Sequence, residues 1–295
     1  IAELGCADPN QPCRLPNSFQ ADPPLDQVKN RSFEFGARGI KNDLSLFGMD
    51  HAISWNATAF AGRNYNDIIF IGGNKVGTGY FRNVGNTQRM GTELALNGKL
   101  GDKWSWYGNY SYVRASFETH QLIASAGHGS NPHACEGPEE YGGGGNADAE
   151  ADQESCEARE AYQIQIGPGD TIPGVSPHIG RVGIGYAPLN GLNLFVDTEY
   201  NSRQFYRGDE NNNEGKQVPG YFLLNASAEY SVPIKDSNGS GFNTTFFFEG
   251  RNLLDTNFET GGILAENEVD GTGGSGTFVT PGQPLTVFGG MRFTW

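Results

Sequence analysis

The sequence predicts an all-β chain, a transmembrane antiparallel β-barrel to which its 295 residues contribute about nine strands. Three observations carry that expectation. Apolar and polar residues alternate with a period of two through nine separate segments, the pattern of strands with one apolar and one wet face. The connections are mostly short and long in turn, as in barrels with tight turns at one rim and extended loops at the other. The last segment, 284–295, reads PLTVFGGMRFTW, with Leu285, Val287, Gly289, Met291, Phe293 and Trp295 on one face. A soluble sheet seldom leaves Phe and Trp on an uncovered terminal strand, whereas a lipid-facing sheet places them at the interface.

The nine strands are expected near 30–40, 52–71, 79–98, 103–117, 177–187, 192–207, 220–233, 241–257 and 284–295. In the first, Glu34 and Arg38 share the polar face, and in the third Arg89 and Glu93 do. In 103–117, Trp104, Trp106, Tyr110 and Tyr112 oppose Ser105, Asn109 and Ser111. Segment 177–187 adds Arg181 to the polar set. In 192–207, Leu192, Leu194, Val196 and Tyr200 oppose Asn193, Asp197, Glu199, Asn201 and Arg203. In 220–233, Phe222, Leu224, Ala226, Ala228, Tyr230 and Val232 oppose Asn225, Ser227, Glu229 and Ser231. In 241–257, Phe242, Phe246 and Phe248 oppose Asn243, Thr245, Glu249 and Arg251, and Arg292 is the charge of the last strand. A small soluble barrel fills its inside with apolar side chains. Charges of both signs on one face point instead to the wet lumen of a large membrane barrel. A one-sided soluble sheet would need a second layer over its aromatic face, and no helical segment is present to supply one.

The short connections fall at 41–51, 99–102, 188–191 and 234–240, the long ones at 118–176, 208–219 and 258–283, with 72–78 a short exception. With the last strand ending in the periplasm, 72–78 and the long connections count back as extracellular loops, and so does 1–29. Nine is odd, and closed bacterial barrels normally have an even strand number. The chain is therefore expected to be the C-terminal portion of a longer barrel, since an open sheet in lipid would leave two unpaired edges.

Composition agrees. The 43 Gly, 12 Tyr, 19 Phe and 4 Trp suit many turns and aromatic girdles. Mean hydropathy is −0.49, and no run of eighteen apolar residues marks a membrane helix. A net charge of −14 argues against a nucleic-acid surface. Nine of the acids lie between Glu136 and Glu160, with Arg159 the one base there, which reads as a solvated loop. Cys6 with Cys13, and Cys135 with Cys156, are local pairs in loop-like sequence, the pattern of two disulfides in an oxidising compartment. Ligand spacing for zinc is missing from them.

Four segments together resemble the C-terminal part of the barrel of TonB-dependent outer-membrane receptors. They are Asn30 to Gly39 (NRSFEFGARG), Tyr80 to Glu93 (YFRNVGNTQRMGTE), Asn252 to Phe258 (NLLDTNF), and Pro281-Gly282-Gln283-Pro284 leading into the last strand. That resemblance implies a barrel of about 22 strands around an N-terminal plug, integral to the bacterial outer membrane. It implies capture of a scarce chelated nutrient at the outer face, most often a ferric siderophore or ferric citrate-like complex, with cobalamin or another metal chelate as alternatives. It implies partners as well: the TonB complex acting through an N-terminal region that this sequence does not include, outer-membrane lipid and lipopolysaccharide, and the barrel-assembly machinery, which recognises a terminal strand such as that ending in Phe293 and Trp295. No cofactor is expected.

Within this frame Tyr80, Arg82, Arg203, Tyr206 and Arg207 stand at the outer ends of strands, where Arg forks and Tyr hydroxyls suit an anionic chelate. The competing role for the arginines is pairing with lumen carboxylates or lipid phosphates. Glu34, Arg38, Arg89, Glu93, Glu229, Glu249, Arg251 and Arg292 face the lumen and plug. His120, His128 and His133 accompany the acidic loop, but no tight histidine spacing makes a metal site of them, and His128 and His133 are only weak candidates. An enzyme is not expected, because no nucleophile elbow is present. The rival readings are a passive porin and a structural or interaction barrel fragment.

Overall fold

The computed structural model describes residues 18–19, 24–46, 48–72, 78–125, 163–235, 241–267 and 274–295. Nine long strands form one antiparallel sheet: β1 Lys29–Leu46, β2 Met49–Tyr65, β3 Thr87–Leu100, β4 Trp104–Phe117, β5 His178–Leu189, β6 Leu192–Asn201, β7 Tyr221–Lys235, β8 Gly241–Arg251 and β9 Thr286–Thr294. Their spatial order is their chain order, an up-and-down meander with β1 and β9 as its edges. Among the described residues no helix is long and apolar enough to cross a membrane, which says nothing of strands.

The pairing register sorts the side chains. Phe35 lies opposite Ala59, Ala57 opposite Leu94, Leu94 opposite Tyr110, and Ile184 opposite Trp106. Val196 lies opposite Ile184 and Ala226, Tyr230 opposite Phe246, and Phe246 opposite Met291. Directly opposed residues point the same way, so these rungs join into one apolar face across all nine strands. Many of its large side chains are solvent-exposed, among them Phe33, Phe35, Val182, Ile184, Phe248, Met291 and Phe293. A face this broad is covered by something other than water.

The opposite face is polar. Glu93 sits across from Ser111, Arg181 across from Asn109 and Glu199, Ser227 across from Glu249, and Thr245 across from Arg292. Glu34, Arg38, Arg89, Glu229 and Arg251 share this parity. Arg181 and Glu199 pair at 2.5 Å, and Arg251 and Glu249 at 2.6 Å.

At one rim the strands turn tightly. β1 joins β2 through positions 47–48, with Gly48 at φ 73°, and β5 joins β6 through Asn190-Gly191, with Gly191 at φ 83°. β3 joins β4 through residues 101–103, and β7 joins β8 through 236–240. At the other rim the strands are joined through 66–86, 118–177, 202–220 and 252–285, and only the described parts of these connections are placed there.

Several strand ends differ from expectation. β1 continues past Lys41 to Leu46, because a bulge between Lys41 and Leu44 absorbs the polar Asn42-Asp43 that reads as a turn. β2 ends at Tyr65. Asn66 has φ 55°, a left-handed conformation that breaks the strand, and Ile68–Gly72 pairs instead with Thr78–Asn83 as a separate hairpin. Tyr80 and Arg82 therefore belong to that hairpin and not to β3, and the connection expected as the short 72–78 is the long 66–86. β6 ends at Asn201, so Arg203, Tyr206 and Arg207 lie beyond the sheet, and β8 ends at Arg251.

Candidate functional site at the long-loop rim

The long connections fold into hairpins that pack on one another. In the first two connections, Ile71, Val84, Ile123, Ile164, Ile166 and Ile172 form a compact apolar core with Ala115 and Phe117 from the end of β4. Phe117 and Ile166 are fully enclosed. The apolar run Ile68 to Ile71 thus serves this core, and Tyr80 packs against it half-buried. Arg82 Nη1 donates to the Leu122 carbonyl at 3.4 Å, and Gln121 Nε2 to that of Asn83 at 3.2 Å, fastening the hairpin to its neighbour Gln121–Ala124.

That neighbour reaches the third connection. Ser125 Oγ donates to the Gly208 carbonyl. The Asn212 side chain, on a residue with φ 58°, accepts from the Thr171 amide at 2.6 Å and donates to the Thr171 carbonyl at 3.0 Å. The third connection in turn docks on the fourth: Arg207 N donates to the Gly262 carbonyl at 3.1 Å, and Leu264 N to that of Arg207 at 2.7 Å. Tyr206, Val218 and Leu264 form a second small core there.

The expected site residues therefore fall into two groups, Tyr80 with Arg82 and Arg203 with Tyr206 and Arg207. The tyrosines are packing residues in this geometry. Tyr206 is 7% exposed, and its hydroxyl donates to Glu259 Oε2 at 3.3 Å. Burial first, and then the Glu259 carboxylate, push its phenol above the usual range. Arg203 and Arg207 are solvent-exposed arginines of the third connection, and neither forms an ion pair among the described residues, whereas Lys216 of the same connection pairs with Glu214 at 3.6 Å.

A network that sequence reading did not single out sits where the first hairpin meets β3. Asp67 accepts from Thr87 Oγ1, from Arg89 Nη1 at 3.1 Å and from the Ile68 amide at 3.0 Å. Its backbone pairs with Gly85 and Val84. Burial alone would raise the Asp67 carboxyl. The hydrogen bonds from Thr87, Asn64 and Arg89, with the Arg89 charge, outweigh it and hold the carboxyl below its ordinary value. The available signal was Asn66-Asp67, a turn-forming pair inside the expected strand 52–71 and just before the apolar run Ile68 to Ile71.

Among the described residues no group of three or more His, Cys, Asp or Glu side chains could hold a metal ion. His128, His133, Cys6, Cys13, Cys135 and Cys156 lie outside the described residues, as does the whole acidic segment from Glu136 to Glu160.

The comparisons with known proteins bear on this architecture. No curated protein sequence matches the chain. Among solved structures it is similar to a mutant of PfeA, the ferric enterobactin receptor of Pseudomonas aeruginosa, at 14% identity and a TM-score of 0.51 over 94% of this chain and 32% of that one. It is similar to BauA, the ferric preacinetobactin receptor of Acinetobacter baumannii, at 15% identity and a TM-score of 0.49, covering 90% and 29%. It is similar to Fiu, the ferric-catecholate import receptor of Escherichia coli K12, at 15% identity and a TM-score of 0.48, covering 92% and 28%. The chain thus spans about a third of the length of these structures. At 14% identity the likeness to PfeA speaks for the fold alone. The family described as "TonB dependent receptor-like, beta-barrel" matches residues 8–253. With most of its length matched, the chain belongs to that family of outer-membrane receptor barrels, which are transporters and not enzymes.

Proposed function

We propose that these residues form part of the lipid-spanning wall of an outer-membrane receptor that takes up a scarce metal chelate of the ferric siderophore class, energised through TonB. In this reading the apolar face meets lipid, the polar face lines the lumen, and the four long connections lie outside the cell. The observation that carries it is the interlocked loop cap, built over a face bearing charges of both signs. A passive pore needs an open mouth, whereas a capture device needs a preformed outer surface. Exposed Arg203 and Arg207 supply cationic forks to an anionic chelate.

The test is uptake of radiolabelled ferric chelates by cells carrying the whole receptor, with and without TonB. The expected result is TonB-dependent accumulation of at least one chelate, with binding weakened at least tenfold by Arg203→Ala with Arg207→Ala. TonB-independent accumulation, or free ion conductance of the purified protein in a planar bilayer, supports the porin instead. Absence of uptake across a panel of ferric, cobalamin and copper chelates leaves the scaffold reading in its place.

A further inference from the structure

Two glycines near the middle of β5 interrupt the polar face. Gly183 and Gly185 share its parity with Arg181, and both are buried although they face the wet side. Tyr107 from β4 and Phe195 from β6 lie down over them. A Cβ on Gly183 would fall against Tyr107 Cε1 and stand 2.7 Å from Phe195 Cζ, and one on Gly185 would stand 2.5 Å from Ser105 Oγ and 3.3 Å from Phe195 Cδ2. The two rings are nearly parallel, at 11° with centroids 5.8 Å apart. A glycine inside a strand gives up packing, and it recurs where another group must come close to the sheet.

Tyr107 and Phe195 are only half-buried, so the wet wall carries an aromatic surface there. Elsewhere on the polar face arginines cover the rings: Arg292 stands 6.0 Å from the Phe247 centroid and Arg251 5.3 Å from that of Phe288. Among the described residues no cation covers Tyr107 or Phe195. The register borders the rings with polar groups. Tyr107, Gly183, Asp197 and Asn225 share one rung. Ser105, Gly185, Phe195 and Ser227 share the next same-face rung, about 7 Å along the strands. Asn225 Nδ2 donates to Asp197 Oδ2 at 3.1 Å and fixes that carboxylate beside the rings. Asp197 and Glu199 are set against Arg181 and Lys99 on the same face, so an anionic chelate meets no net attraction.

We propose that Tyr107 and Phe195 form a stacking platform on the lumen wall for one ring of a neutral saccharide, whose hydroxyls are taken by Asp197, Ser105, Ser227 and Arg181. A pyranose rests its C–H face on aromatic rings and presents hydroxyls around its rim, which matches an apolar centre with a few placed polar groups. A wholly apolar ring would desolvate the bordering polar groups without giving them partners. This inference goes beyond the chelate capture proposed above and rests only on its assignment of the polar face to the lumen.

The test is saturation-transfer-difference NMR of the whole receptor in a sugar-free detergent, with maltotriose, cellotriose and mannotriose as probes, with and without enough urea to displace any plug. The expected result is transfer to the ring C–H protons of at least one probe. It falls at least about fivefold in the Tyr107→Ala, Phe195→Ala variant, and is unchanged in Tyr107→Phe and in Phe247→Ala. No transfer to any probe in either condition overturns the inference, and so does a smaller fall in the double variant. A loss in Tyr107→Phe or Phe247→Ala as large as that of the double variant also overturns it. Full competition by ferric citrate does so too, since the site is then one for anionic chelates. If the double variant does not fold, Phe195→Leu decides, because it keeps apolar bulk and removes the flat ring: a loss of at least about threefold supports the platform, and a smaller one overturns it. Chelate uptake by the same receptor separates the two readings. TonB-dependent uptake without saccharide binding sinks this inference alone, whereas saccharide binding without uptake of any chelate leaves it standing and sinks the chelate reading.

Discussion

Asp67 shows how single residues hold the loop rim. Its carboxylate is enclosed, and it accepts from Thr87 and Arg89 on β3 and from the next amide. Replacement by Ala leaves Thr87 and part of Arg89 unsatisfied and is expected to lower stability by about 1–3 kcal/mol, read from the chemical-unfolding midpoint. Because the folded carboxyl titrates below its ordinary value, its stabilisation is fully present above the unfolded carboxylate range near pH 4 and is lost as pH falls through the lower folded value. Limited proteolysis at decreasing pH should therefore release the 68–83 hairpin in wild type only under acid, and already at neutral pH in Asp67→Ala. Phe117→Ala empties the centre of the loop core and is expected to cost about 3–5 kcal/mol, with protease cutting in the loops before the barrel strands. At this scale the sequence was partly legible. The polar-face charges were readable from alternation, because parity alone decides which face a strand residue takes. The roles of Tyr80 and Tyr206 were not, since a tyrosine that caps a small core and one that meets a ligand carry the same local pattern.

Strand positions were legible wherever alternation met turn residues, and failed wherever apolar residues continued for another purpose. Ile68 to Ile71 prolong the rhythm of β2, yet they serve the loop core after the left-handed Asn66. Beyond β8, Asn252 and Asp255 take φ 50° and 48°. The Asn252 side chain donates to the Thr256 and Gln283 carbonyls at 2.9 and 3.0 Å and accepts from the Thr256 amide at 2.9 Å. The segment NLLD is thus a strand terminator, although Leu253 and Leu254 look like more strand. Glycines within strands have a comparable logic. A Cβ on Gly98 would fall inside the Trp106 indole, whose Nε1 donates to His51 Nε2 at 3.0 Å. Gly98→Leu is expected to expel that ring at a cost of about 1–3 kcal/mol, seen as a shift in tryptophan emission and lower thermal stability.

For the molecule as a whole, the nine strands divide their residues between two environments. Single cysteines placed at Glu93 and Glu229 on the polar face are expected to react with a membrane-impermeant maleimide in the assembled barrel, once any plug is displaced by denaturant. Cysteines at Leu94 and Ala228 on the apolar face should stay protected while the barrel remains folded. Equal labelling of the two pairs would contradict a lipid-facing surface. This division was legible from sequence because a membrane barrel imposes the same two-residue rule on every strand. The loop cap was not, because its hairpins associate through residues far apart in the chain, such as Ile71 with Ile166 and Asn212 with Thr171.

The meander has a bearing on how such a wall is made. Each barrel strand pairs only with its predecessor and successor in the chain, so four of the eight pairings close over no more than a five-residue turn. Pairings of this kind have low contact order and form quickly. The other four close over the long connections, of which 118–177 and 252–285 are the longest, and closing those two carries the larger entropic cost. The sheet can thus grow one hairpin at a time, and the slow steps of assembly should be the joining of β5 to β4 and of β9 to β8.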